Sequence, residues 1–361
     1  MILKVLLYIY SIFNLIFLNI FLFFKKNISK KKTIFFYHPK ENLTKIHTYY
    51  IENFFKKLDN YNTVFASKTF ISNHSYIKET LLKYILNTDI FVSNNLCNNF
   101  THNSIRVYMH HDIYDTPLVA KKKEIEFSKR LLKYNNVFIA STKSIFLFNN
   151  IFKGLKKRPK IKVLGFYPKL NYLLEKKFKI KKNNNKIIIA PTNFNALPDF
   201  SLYPKLNKII SILIKQKYLV CLRPHPSNFE DTKVKLIKKK FEKYNNFYID
   251  KSSNYSENYL TSDLMITDVS GTAYTYAFFT KNPVIFISNK ERIINKSYYK
   301  KLSYFIDRKK IGYVVSDYDK LLFCLKKLKE MKTKKKFKDK ILKIYKDSFS
   351  ENNSDIFRNL R

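Results

Sequence analysis

At 361 residues the chain is long enough for two domains that each bury a core, and its 45% hydrophobic and 17% aromatic content excludes a disordered polymer. The net charge of +42 comes mostly from lysine, in a chain also rich in Asn, Ile, Phe and Tyr. That pattern marks an AT-rich coding sequence first and attraction to an anionic membrane face second; without a nucleic-acid-binding motif, no specific nucleic-acid partner follows. Three scattered cysteines exclude a disulfide framework and a zinc site and fit a reducing compartment, and four glycines exclude a Gly-rich phosphate loop.

The first element expected is a helix over "VLLYIYSIFNLIFLNIFLFF", Val5 to Phe24, interrupted by Ser11, Asn14 and Asn19 and followed by "KKNISKKK". It has about the length needed to cross a bilayer. With one lysine before it and a cluster behind, it reads as an uncleaved anchor that leaves the bulk of the chain at the cytoplasmic face of the membrane. A buried core helix or an interfacial helix are the alternatives.

Short apolar runs then alternate with basic amphipathic segments. Strands are expected at 33–38, 63–67, 89–94, 105–111, 136–142 and 161–166. The polar stretch 173–186 reads as a linker with a short helix. A second series follows at 187–192, 218–226, 246–250, 263–268, 283–288 and 312–317, and then a basic helical tail read as solvated or membrane-facing surface. The expected division is an anchor and basic flank (1–32), an N-terminal Rossmann-like domain (33–172), the linker (173–186), a C-terminal Rossmann-like domain (187–325) and the tail (326–361). The fold class is α/β, with ligand between the domains at the carboxyl ends of parallel strands.

Two stretches carry chemistry. "TDVSGT" ends a buried strand and opens a helix, whose first N–H groups and positive dipole end suit a diphosphate, with the hydroxyls of Ser270 and Thr272 as further donors. An ordinary helix capped by Ser270 is the competing reading. "RPHP" ends another strand of the same series, so both loops open on one sheet edge and Arg223 and His225 can face phosphates held by the turn around Gly271. Pro224 and Pro226 stiffen the loop that presents His225; a histidine that merely caps a turn is the alternative. "DYD" at 317–319 resembles a metal-binding acidic pair, but it precedes a basic helix and reads as incidental. No metal or other cofactor is expected.

"YMHHDIYDTPLV", "IIIAPTNF", "LRPHPSN" and "SDLMITDVSGTAYTYAFFTKNPVIFI" resemble, in order and spacing over roughly residues 100–320, the CDP-glycerol glycerophosphotransferase family of teichoic-acid and capsule synthesis. The resemblance implies a GT-B-like fold of two facing Rossmann-like domains, with donor bound largely by the second. The implied reaction transfers an alditol phosphate from a CDP-activated donor to a lipid-linked or polysaccharide acceptor, releasing CMP. The family's N-domain histidine matches His110 or His111, with Asp112 where a glycine is usual after His111. His225 matches the "RPHP" histidine, and Asp268 and Ser270 match the phosphate turn. Gly271 replaces a serine there, and Thr275 replaces an acidic residue that is a partner for ribose hydroxyls.

On this resemblance His111 is expected as general base, with Arg223, His225 and the 270–272 turn stabilising the diphosphate, although the two histidines could exchange roles. A GT-B sugar transferase, a non-catalytic membrane-bound assembly protein and a basic nucleic-acid binder are the remaining alternatives.

Overall fold

In the computed structural model, residues 2–39, 50–71, 74–115, 121–176, 185–252, 254–288, 290–316, 318–333, 335–349, 354–358 and 360 are described. They fall into two units: 1–111 with 120–169 and 351–361, and 112–119 with 170–350.

The first unit is built on seven parallel strands in the order β3-β2-β1-β4-β5-β6-β7. They are β1 (Lys32–His38), β2 (Tyr61–Ser67), β3 (Ser75–Tyr76), β4 (Ile90–Ser93), β5 (Ile105–Met109), β6 (Asn136–Ile139) and β7 (Lys160–Val163). The inner strands are apolar on both faces because helices cover both sides of a parallel sheet. Ile34, Phe36, Ile90, Val92, Val107 and Phe138 meet in one buried cluster. The end of the chain joins it: Phe357 packs on Phe55 and Phe138, with ring centroids 5.7 and 5.2 Å away.

The helix α1 (Ile2–Ser29) belongs to this unit and is the one described helix long and apolar enough to cross a membrane.

The second unit repeats the design with six parallel strands, ordered β10-β9-β8-β11-β12-β13. These are β8 (Lys186–Ile189), β9 (Leu219–Leu222), β10 (Phe247–Ile249), β11 (Leu264–Thr267), β12 (Val284–Ile287) and β13 (Gly312–Val315). In both sheets the order reverses beside the first strand, between β1 and β4 and between β8 and β11. Such a switch point opens a crevice at the carboxyl edge, where ligands bind in open α/β sheets.

Two features differ from the expectations. β3 is too short to leave a periodic signal. The basic tail has a buried face as well as a solvated one: Phe337, Ile341, Ile344 and Ser348 of the Lys335–Ser348 helix are buried within the second unit. Most of the expected linker, 177–184, lies outside the described residues.

Candidate functional site

In the first unit the chemistry gathers at the carboxyl edge. β5 delivers His110 and His111 just beyond its last residue, and the backbone N–H of His110 continues the ladder by donating to Phe138 O at 2.8 Å. The His110 ring is buried, with Nδ1 3.4 Å from the Tyr108 hydroxyl and an edge contact to Phe148. His111 is half-buried, and its carbonyl accepts from the Tyr167 hydroxyl at 2.9 Å. A small recess is lined by Tyr50, Asn94, His110, His111, Tyr167 and Lys169.

Two residues at this edge escaped the sequence reading. His38 ends β1 and Asn94 follows β4, so they flank the switch point. They share a hydrogen bond, and burial, with His74 nearby, pushes His38 well below the ordinary histidine value, leaving it neutral. The signal was present: "FFYHP" repeats the apolar run, histidine and proline of "CLRPHP".

In the second unit, β9 runs into Arg223, whose N–H donates to Ile189 O at 2.8 Å. Its guanidinium is buried and committed to the protein. Nη1 donates to Asp250 Oδ2 at 2.7 Å, Nη2 to Ser252 O at 3.0 Å, and the group lies over the Tyr255 ring. Burial alone would raise the Asp250 carboxyl, but Arg223, with Ser252, holds it below its ordinary value. Arg223, expected to face the phosphates, braces the loop from below through these bonds.

His225 is half-exposed and caps the Pro226–Asn228 turn, with Nδ1 accepting from Ser227 N–H at 3.2 Å. An accepting Nδ1 places the proton of the neutral ring on Nε2. The capping and ligand-facing readings are therefore compatible, since the cap uses one nitrogen and orients the other.

β11 ends at Thr267 and runs into the turn at the switch point. Asp268 is buried and points inward: it accepts from the N–H groups of Thr192 (2.9 Å), Val269 (2.7 Å) and Leu202 (2.8 Å). Burial raises its carboxyl to about 6 against these hydrogen bonds. Asp268 thus ties the loop after β8 to the turn. Ser270, Gly271 and Thr272 are half-buried, and Gly271 is the N-cap of the Thr272–Thr280 helix. Among the described residues the Ser270 hydroxyl makes no protein hydrogen bond, whereas Thr272 Oγ1 pairs with the Tyr259 hydroxyl. The Tyr304 hydroxyl lies 3.2 Å from the carbonyls of both Asp268 and Ser270 and braces the turn from below.

β9 and β11 flank β8, so the His225 loop and the 268–272 turn rise from one edge two strand spacings apart, about 10 Å. Thr275 is buried inside its helix. Of the DYD pair, Asp317 lies outside the described residues and Asp319 sits in the first turn of the Tyr318–Thr333 helix.

The profile of the family described as CDP-Glycerol:Poly(glycerophosphate) glycerophosphotransferase matches residues 17–355. The minor teichoic acid biosynthesis protein GgaB of Bacillus subtilis (strain 168) is 28% identical over 236 residues, which are 58% of this chain and 25% of GgaB. The chain thus spans about a quarter of that relative's length. Among solved structures, the wall teichoic acid polymerase TagF superposes with a TM-score of 0.57 at 21% identity, covering 91% of this chain and 86% of the other. MnaA of S. aureus, solved with UDP, gives 0.55 at 10% identity, covering 86% and 90%. At these identities the structural likeness is one of fold, and the fold is the GT-B-like one that the motifs led us to expect.

Proposed function

The chain belongs to the CDP-glycerol:poly(glycerophosphate) glycerophosphotransferase family, and from that premise we propose that it moves glycerol phosphate, or a related alditol phosphate, from a CDP-activated donor to an acceptor hydroxyl. The acceptor is lipid-linked or a polymer, at the cytoplasmic face of the membrane. The acceptor oxygen bonds to the alditol-bearing phosphorus, the bond from that phosphorus to the bridging oxygen breaks, and CMP leaves with the bridging oxygen. The hydroxyl proton passes to a base.

The observation that supports this reading is the second unit's carboxyl edge, on which the His225 loop and the 268–272 turn both open, the turn at the switch point and His225 one strand beyond β8. The N–H groups at Gly271 and Thr272 open a helix, and its dipole favours an anion there. With Nδ1 engaged by Ser227, His225 can donate from Nε2 to a phosphoryl oxygen as charge develops. Arg223 and Asp268 act as positioning residues, one under each loop. The first unit supplies the base. Both histidines line the recess, His110 buried and His111 half-buried with its backbone held by Tyr167, and the greater exposure of His111 favours it as the base.

Replacement of the two histidines separates these roles. His111→Ala is expected to keep donor affinity, measured by titration with CDP-glycerol, and to lower the transfer rate about 10²–10⁴-fold. His225→Ala is expected to weaken donor binding as well as transfer. Wild-type turnover by His111→Ala would move the base to another group.

A further inference from the structure

We infer that Glu291 is a ligand-binding carboxylate of the second unit, accepting hydrogen bonds from hydroxyls of the nucleotide-linked donor, those of its ribose or of its alditol. This deepens the transfer reading above and rests on it.

The position follows from the sheet. β12 ends at Ile287, and Ser288 continues its ladder by donating its N–H to Val315 O at 2.8 Å. Glu291 then opens the Glu291–Lys296 helix. Thr267 of β11 pairs with Phe286 of β12, so the 268–272 turn and the segment leading to Glu291 leave neighbouring strands at one level of the carboxyl edge, about 5 Å apart where they depart. A side-chain route gives the same placement. Tyr304, whose hydroxyl braces the carbonyls of Asp268 and Ser270, shares the Ser303–Ile311 helix with Arg308 one turn further on, and Arg308 Nη2 donates to Glu291 Oε1 at 2.9 Å.

The bonding of its two oxygens separates Glu291 from the buried carboxylates of this edge. Asp250 Oδ1 accepts from Ser252 and Oδ2 from Arg223; Asp268 Oδ1 accepts from Thr192 and Val269, and Oδ2 from Leu202. Both are fully engaged. In Glu291 the Ser288 hydroxyl and Arg308 both donate to Oε1, and among the described residues Oε2 accepts no hydrogen bond, on a side chain that is 33% exposed.

Arg308 makes this carboxylate fit for a place near phosphates. Its side chain is 4% exposed, its guanidinium lies over the Phe305 ring, and Nε and Nη1 make no hydrogen bond among the described residues. A charge buried behind so few partners is costly. It balances Glu291 and, with Ser288, holds the carboxylate by one oxygen and leaves the other for a ligand. An ionised carboxylate repels phosphoryl oxygens and accepts only from donors. A CDP-alditol brings hydroxyls, a few bonds from its diphosphate, and the cytosine amino group at the far end of the base. The hydroxyls are the donors within reach, and the Thr272–Thr280 helix has no acidic residue to compete for them.

The test titrates the full chain in detergent with CDP-glycerol, with CDP-propanol, which lacks the alditol hydroxyls, and with the dideoxyribose analogue of CDP-glycerol. The wild-type chain should bind one analogue about 10–100-fold more weakly than CDP-glycerol, and the analogue affected identifies the hydroxyls. Glu291→Gln should reduce that preference. Glu291→Leu combined with Arg308→Met, which leaves no buried charge unpaired, should abolish it. Equal weakening of all three ligands with the preference kept would make Glu291 a structural partner of Arg308 and overturn the inference, as would a wild-type chain without the preference. Binding of UDP-glucose in place of every cytidine ligand would refute the donor reading alone. Glu291 would then stand if the double variant lost a preference for UDP-glucose over its dideoxyribose analogue, and would fall if the variant kept it.

Discussion

Arg223 and His225 stand on either side of Pro224 and divide the work of one loop. Arg223 binds Asp250 and Ser252 and lies over the Tyr255 ring, and on the proposed function His225 is the group that meets the ligand. Arg223→Ala strands a buried carboxylate and should cost about 3–5 kcal/mol in denaturant unfolding. His225→Ala, at a half-exposed turn, should cost about 1 kcal/mol or less while removing activity. The reverse ranking would return Arg223 to the ligand. The sequence could place both basic residues at a strand end but could not separate them, because the partner that claims Arg223 lies 27 residues further on.

Asp115 makes a residue-scale prediction about pH. It accepts from the N–H groups of Ser303 and Tyr304 at 2.7 Å, and burial raises its carboxyl from 3.8 to about 7. The folded chain therefore holds this proton more tightly than the unfolded chain. The contribution favours the fold fully below about pH 4 and is lost as pH rises to about 7, with Asp268 acting in the same direction up to about 6. Asp115→Asn, which cannot ionise, should flatten the fall in melting temperature across this window. A pH dependence unchanged by the substitution would show that Asp115 titrates alike in both states.

At the scale of elements, twelve strands were legible because each is a short apolar run closed by polar or turn residues. The β3 pair carried no such period. The α1 run was legible as apolar and helical, but the meaning of Ser11, Asn14 and Asn19 was not, since their partners are backbone groups of a distant segment. Gly312 shows the same dependence on a neighbour. It opens β13 beside Val284, and a Cβ added there would lie 1.7 Å from the Val284 carbonyl oxygen. Gly312→Ala should force β13 from β12 and destabilise the second unit by about 1–3 kcal/mol or more; a neutral effect in thermal unfolding would mean that this edge yields freely.

For the whole molecule, two parallel sheets covered by helices were foreseeable from two series of strand-like runs, while their strand orders were not. The assignment of the segments that cross between units was not. Residues 112–115 group with the second unit and 354–358 with the first, through aromatic contacts such as Tyr114 on Tyr274 and Phe357 on Phe138 that no local pattern announces. At the candidate site, the positions of His225 and the 268–272 turn at strand ends were legible because strand, proline and helix-start signals coincide there. The inward aim of Asp268 and the place of His38 needed the sheet order. The proposal that joins these parts is alditol-phosphate transfer, and the most direct measurement is CMP release by the full chain in detergent with a lipid-linked acceptor. CDP-glycerol and CDP-ribitol would be compared with UDP- and CMP-sugars. The account predicts CMP from a CDP-alditol, lost in His225→Ala; turnover of a sugar nucleotide alone, or no binding of any cytidine nucleotide, would contradict it.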